Sequence, residues 1–378
     1  MQTVIKNANI YDGENVIHNG YIRFNNKIID VGPMSEYVPQ PEDEKNVDGT
    51  NKIVVPGFID IHTHGGYGID SMDDDPEKIN EMICREAKNE GITSIFPTTV
   101  TQSVENISRT MKNLKLVAQE NPIVQGIHLE GPFISAEYKG AQPEQFIIDP
   151  DINLLKKWNE LSGGLIKIIT YAPEKSGAPE LENYCLGHQI VLSVGHSSAK
   201  QSQMKRTKAT HITHLYNAQR GMHHREPGVT GEAMLGSKFY TEIIADGYHV
   251  APDMIRLAYK LKGADQIELI TDSLRAKGMP ETVSELGGQK VIVANHQARL
   301  ENGHLAGSIL EYDLAFKNII KFTGCSISDA VKMTSYNQAH EFNLKSKGEL
   351  KVDKDADINV LDEELNLEKT YSYGHLLN

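Results

Sequence analysis

At 378 residues the chain can bury a large core in one big domain or two smaller ones, and its 39% hydrophobic and 24% charged content is that of an ordinary soluble globular protein. Its 51 acidic residues against 38 basic give a formal charge of −13, which argues against nucleic acid as a partner but leaves room for one local phosphate pocket. No run approaches the ~18 apolar residues that span a bilayer, no signal peptide follows Met1, and Cys84, Cys185 and Cys325 form no CxxC pair; a cytoplasmic protein with reduced thiols and no membrane partner is expected.

The N-terminal segment reads as short strands and tight turns. Val4-Ile5 precede Asp12-Gly13, and Tyr21-Ile22-Arg23-Phe24 is joined to Lys27-Ile28-Ile29 by Asn25-Asn26, a pair that tolerates positive φ. Near the other end, Ile358-Asn359-Val360-Leu361 is the clearest strand. The two ends, 1–54 and 345–378, are expected to pair as a small β-sandwich domain. Between them, eight apolar runs alternate with helical stretches: 58–64, 92–98, 124–130, 165–172, 189–196, 209–216, 242–249 and 267–272. Asp75-Pro76-Glu77 starts a helix running toward Gly91, and Met254 to Lys262 is an amphipathic helix. This alternation predicts an α/β fold, a (β/α)8 TIM barrel over 55–344, rather than an open doubly wound sheet. Gly287 to Gly307, with Asn302-Gly303 as a turn, reads as an inserted hairpin.

The first barrel run ends in His62-Thr63-His64. Residues i and i+2 share a face of a strand, so both imidazoles can meet one cation. Alone, the pair is equally well read as two polar residues closing a strand. Other runs end alike: His128-Leu129-Glu130, Gly195-His196, Thr213-His214, Asp246-Gly247-Tyr248-His249 and Thr271-Asp272. Taken singly, Glu130 is a solvent-facing charge, His196 a turn residue and Asp272 a cap. Jointly they stand at the ends of successive strands, where barrel enzymes carry their chemistry. Imidazole and carboxylate donors suit Zn2+ or Fe2+ better than Ca2+ or Mg2+.

The barrel with strand-end ligands resembles the metal-dependent amidohydrolase superfamily. Seven motifs, in order along essentially the whole chain, resemble the N-acetylglucosamine-6-phosphate deacetylase family within it. They are His-Leu-Glu-Gly-Pro-Phe (128–133), Gly-His-Ser-Ser-Ala (195–199), His-Leu-Tyr-Asn-Ala (214–218), Arg-Glu-Pro-Gly (225–228), Asp-Gly-Tyr-His (246–249), Thr-Asp-Ser (271–273) and Leu-Ala-Gly-Ser (305–308). The resemblance implies that Glu130, His196 and His214 bind the principal metal and that Asp272 is the catalytic acid/base. Because the chain keeps the His-x-His pair, His62 and His64 are expected to hold a second ion with Glu130 bridging, giving one or two divalent ions per subunit. The implied reaction is deacetylation of N-acetyl-D-glucosamine 6-phosphate in amino-sugar catabolism and recycling, by attack of metal-bound hydroxide with Asp272 as general base and then acid. A partner subunit is expected to contribute to the phosphate pocket of a homodimer.

One position departs from the family. A histidine often follows Lys-Gly-Ala near the acetyl carbonyl, whereas here Ala141 precedes Gln142, whose amide donates a hydrogen bond but carries no charge. Carbonyl polarisation is then expected to rest more on the metals. Arg225 offers a planar fork for phosphate oxygens, with His249 adding a hydrogen bond; the plain alternative is a surface ion pair with Glu226. Asn217 and Ala218 are expected at the same ligand, and Leu305-Ala306-Gly307 over the sugar. His223-His224 are read as loop residues, and His18, His188, His211, His296, His304, His340 and His375 likewise. His128 either orients Glu130 or packs in the core. The competing readings are an amidohydrolase for another N-acetylated sugar phosphate or a cyclic amide, and a dead binding scaffold, which the complete ligand set disfavours.

Overall fold

The β-branched run that starts at Ile53 crosses from one sheet into another at Gly57. In the computed structural model, which describes residues 2–40 and 44–377, Ile53–Pro56 belongs to a terminal sheet and Phe58–Thr63 opens the barrel. A Cβ on Gly57 would stand 2.1 Å from Thr93 Oγ1, so only glycine lets the two layers abut here.

The barrel strands follow one another in chain order, all parallel: Phe58–Thr63, Ile92–Thr99, Ile127–Glu130, Ile166–Tyr171, Val191–Val194, His211–Ile212, Tyr240–Ile244 and Ile267–Ile270. Strands eight and one join above the ring, where Asp272 N–H donates to His62 O and His64 N–H to Ser273 O, both at 2.8 Å. Helix Pro76–Glu90 shows why the outer layer forms. The Asp75 carboxylate caps it by accepting from Lys78 N–H at 3.2 Å, and Gly91 ends it with φ 75°. Its buried Ile79, Met82, Ile83 and Ala87 recur at helical spacing and face the strands. Burying each large one contributes about 1.5–3 kcal/mol. The expected helix from Met254 is present as Pro252–Lys262.

Several strands end earlier than their apolar runs. The runs reach 196, 216, 249 and 272, but the ladders stop at Val194, Ile212, Ile244 and Ile270. The backbone then leaves the extended region, with φ 46° at His196, 30° at His214, 80° at Tyr216 and 46° at Asp272. These exits stay mostly buried, so hydrophobicity continues where the ladder does not.

After strand eight, 283–300 forms a three-stranded antiparallel sheet rather than a single hairpin: Val283–Leu286, Gln289–Ala294 and Gln297–Leu300. Its turns, Gly287-Gly288 (φ 58° and 81°) and Asn295-His296 (φ 53° and 59°), have the paired positive φ that matches strand twist. Asn302-Gly303 is a turn too, with Gly303 N–H on Leu300 O at 2.9 Å, and it returns the chain toward Leu305.

The chain ends interleave in a single sheet. Ile358–Leu361 pairs antiparallel with Ile53–Pro56, which runs parallel to Gln2–Tyr11, in one eight-stranded sheet. Ile5, Ile10, Ile22, Phe24, Val54, Ile358 and Tyr371 form its core. Asn359 Nδ2 donates to Gly91 O at 2.8 Å and ties this sheet to the first barrel helix. Among the described residues no helix is long and apolar enough to cross a membrane.

Candidate active site

Strands one, three, five, six and eight deliver ligand-type side chains to one point above the ring. Glu130 Oε1 lies 3.1 Å from His196 Nε2 and 3.1 Å from His214 Nε2, and those nitrogens are 3.1 Å apart. Glu130 Oε2 is 3.2 Å from His64 Nε2, and Asp272 Oδ1 faces the same nitrogen at 3.2 Å. His62 Nε2 stands 3.6 Å from both Glu130 Oε1 and Asp272 Oδ1. All six residues are buried.

These residues fit a divalent cation. One atom from each of Glu130, His196 and His214 lies within 4.8 Å of the others, and the same holds for His62, His64 and Asp272. Glu130 reaches both groups, Oε1 facing His196, His214 and His62 and Oε2 facing His64. His62 Nε2 is buried without a hydrogen-bond partner and points into the cluster. Orienting groups stand behind two of the rings: His62 Nδ1 meets Glu242 Oε2 at 2.9 Å, and His196 Nδ1 donates to Tyr138 O at 3.0 Å. Such partners fix the tautomer and leave Nε2 free to ligate.

Electrostatics agree. Burial disfavours the imidazolium of His62, but Glu242, Glu130 and Asp272 outweigh it and hold its pKa well above 6.5. His64 is likewise opposed by burial yet raised to about 9 by Asp272 and Glu130. Burial works against ionised Glu130, and the surrounding imidazoles still hold its pKa well below 4.5. Asp272 is lowered in the same way by His62 and His64. Protons on these imidazoles supply positive charge of the kind a cation would bring in their place.

A cavity of about 370 Å3 opens onto this cluster. Of the residues expected at a substrate, Ala141, Gln142, Asn217, Ala218, His249, Leu305 and Gly307 line it. His249 Nδ1 donates to Asp246 Oδ2 at 2.7 Å, leaving Nε2 as the free ring nitrogen. Ala306 is fully buried and its N–H bonds Ala298 O at 3.0 Å, so it supports the wall from behind. Arg225 is exposed on a separate loop, where its guanidinium donates to His224 Nε2 at 2.8 Å; Glu226 instead accepts from Gln201 and Gly228 N–H. Gln142 has both amide atoms engaged: Nε2 donates to Glu130 Oε2 and Oε1 accepts from Thr101 N–H, each at 2.7 Å.

Other residues come to light only in three dimensions. Glu242, behind His62, is an acid inside an apolar strand, and that misplaced charge was its one sequence signal. His304, read as a loop residue, lines the cavity. His211 is fully buried against Glu242 and Glu341, not on a loop. His128 bonds Ile61 O at 3.1 Å and Thr170 Oγ1 at 2.7 Å, so it packs beneath His62 and does not orient Glu130.

Residues 53–376 match the model of the amidohydrolase family. A Bacillus subtilis (strain 168) relative named N-acetylglucosamine-6-phosphate deacetylase is 40% identical over 99% of this chain and 96% of its own. A crystal structure of N-acetylglucosamine-6-phosphate deacetylase from Thermotoga maritima has a TM-score of 0.89 at 34% identity, covering 99% of both chains. A mutant N-acetyl-D-glucosamine-6-phosphate deacetylase from Mycobacterium smegmatis, solved in complex with N-acetyl-D-glucosamine-6-phosphate, has a TM-score of 0.92 at 27% identity, covering 100% of this chain and 99% of that one. Matched over most of its length and carrying imidazole and carboxylate ligands at its barrel exits, the chain belongs to the amidohydrolase family, whose hydrolases depend on metal.

Proposed function

We propose that this chain hydrolyses the acetamide of N-acetyl-D-glucosamine 6-phosphate to acetate and D-glucosamine 6-phosphate. The observation that carries the reading is the convergence of Glu130, His196, His214, His62, His64 and Asp272 on one cavity, in a chain whose relatives bear that activity in their names. Zn2+ or Fe2+ suits the donors, held by Glu130, His196 and His214, with His62 and His64 available for a second ion. Such an ion supplies Lewis acidity, lowering the pKa of water from 15.7 toward about 7.

The chain's own groups handle the protons. Asp272 is kept ionised by its imidazole neighbours, so it starts as the base, accepting a proton from the attacking water. It then returns that proton to the sugar nitrogen as the C–N bond breaks. Gln142 holds Glu130 in place through one amide N–H, and its second N–H is available to the substrate's carbonyl oxygen.

Among the described residues the cavity lining includes no Lys or Arg, which leaves a phosphate there short of a permanent positive charge. Arg225 of a second copy supplies it in this reading, which makes the working unit a homodimer. The chemistry then belongs to 55–344, with 1–54 and 345–378 as a small β-domain, and the setting is the cytoplasm, where phosphorylated sugars occur.

Acetate release from N-acetylglucosamine 6-phosphate is the test, run with chelator, with metal restored, and beside the unphosphorylated sugar. Activity lost to chelator, regained with metal and strongly favouring the phosphorylated sugar is expected. No release from that sugar, alongside opening of a cyclic amide, would overturn the reading.

A further inference from the structure

A second cluster of ligand-type side chains lies in the barrel floor, on the far side of Glu242 from the active site. His211 opens strand six, Glu268 sits in strand eight, and Glu341 ends the helix Asn337–Glu341. That helix sits below the ring, its Asn337 amide donating to the carbonyls of Ala264 and Ile267 at 2.7 Å each. One ligand atom from each of His211, Glu268 and Glu341 lies within 4.8 Å of the others. His211 and Glu268 are fully buried, and the Glu341 side chain is 6% exposed. His211 Nδ1 faces Glu341 Oε2 at 2.8 Å and Glu268 Oε2 at 4.0 Å.

The cluster is short of positive charge. Among the described residues, Glu268 and Glu341 form ion pairs with His211 alone and with no Lys or Arg. Neither oxygen of Glu268 has a hydrogen-bond partner, and neither does Glu341 Oε1. A buried carboxylate left this way is costly. Burial and the neighbouring Glu341 push the Glu268 carboxyl well above its usual range, so without a cation the pair holds a proton that an ion would displace. A cation would satisfy all three unpartnered oxygens at once.

Glu242 lies between the two clusters. Its Oε2 meets His62 Nδ1 at 2.9 Å, and its Oε1 faces His211 Nε2 at 3.3 Å. A carboxylate behind an imidazole fixes the proton on the near nitrogen and leaves the far one for a metal. Glu242 does this for His62 Nε2 on the catalytic side; on the floor side its Oε1 and His211 Nε2 stand close without a hydrogen bond, and His211 Nδ1 meets Glu341 Oε2 at 2.8 Å.

We propose that His211, Glu268 and Glu341 hold a divalent transition-metal ion, of the Zn2+, Mn2+ or Fe2+ class, separate from the catalytic centre. One imidazole with two carboxylates suits that class, whereas Ca2+ takes about six to eight oxygens. The ion ties strands six and eight to the final helix.

Elemental analysis of the full-length protein, loaded with Mn2+ or Zn2+ and desalted, tests this against Glu268→Gln and Glu341→Gln. Each folded variant is expected to carry one ion fewer per chain than wild type. Equal metal content in wild type and a folded variant would overturn the site. Should both variants fail to fold by circular dichroism, anomalous scattering from wild-type crystals soaked in Mn2+ decides. A peak between His211 Nδ1 and the two carboxylates supports the site, and no peak there beside an occupied catalytic centre refutes it.

Discussion

Asp272 and the imidazoles around it titrate as a set, which makes their behaviour predictable with and without metal. Asp272→Asn removes the proton acceptor while keeping the shape, so kcat for acetate release should fall about 10^2–10^4-fold with metal content retained. Near wild-type kcat would refute the role. His64 gives a pH signature. Its folded pKa of about 9 lies above the unfolded 6.5, so the folded metal-free state binds this proton more tightly. That stabilisation is complete below about pH 6.5 and is lost as pH rises through about 9, on the order of 3 kcal/mol in all. Metal holds His64 neutral and cancels the effect. Thermal unfolding from pH 6 to 9.5 should therefore slope downward for chelator-treated protein and much less for metal-loaded protein; parallel profiles would contradict it. Gln142→Leu leaves Glu130 short of a donor and Thr101 N–H unsatisfied, a cost of about 1–3 kcal/mol readable as weakened metal affinity in competition with a chelator. Unchanged affinity would make Gln142 a bystander. The ligands themselves were legible because each ends an apolar run in sequence. Glu242 was not, since it meets His62 across 180 residues, nor was Tyr138, which acts through a backbone carbonyl.

Between strand and loop, the exits carry the precision of the site. Gly131 follows Glu130 directly, with φ 72°, and a Cβ there would lie 2.1 Å from Thr101 Oγ1. Thr101 N–H in turn holds Gln142, which holds Glu130. Gly131→Ala combines left-handed strain with a clash and should cost about 2 kcal/mol or more in urea unfolding, together with weaker metal binding. A loss under about 0.5 kcal/mol would show that the turn is looser than its contacts indicate. Element order and type were readable from period and caps: Asp75 and Gly91 bound the first helix where its pattern places them. Strand ends were not, because residues such as His214 and Asp272 turn out of the ladder while staying buried. The three-stranded insertion was also under-read. Asn295-His296 is a turn through its φ values, and this pair lacks the glycine that usually announces one.

For the whole molecule, the decisive matter is where Arg225 acts. It is exposed and does not line its own cavity, and among the described residues that lining holds no Lys or Arg. If Arg225 serves the site of a second copy, two defective chains can repair one another. Arg225→Ala alone should lose its preference for the phosphorylated sugar, and Asp272→Asn alone should lose turnover. In a mixed dimer, the site on the Arg225→Ala chain keeps Asp272 and receives Arg225 from its neighbour. Equal mixing and exchange then restores about a quarter of wild-type activity, since half of the dimers are mixed and each has one intact site. If Arg225 acts within its own chain, no site in any mixed dimer is intact. Coexpression of the two variants with separable tags, purification of the mixed species and an acetate-release assay distinguish these outcomes. A mixed dimer no more active on the phosphorylated sugar than its parent variants would refute the shared pocket, and a monomer by sedimentation would remove it altogether.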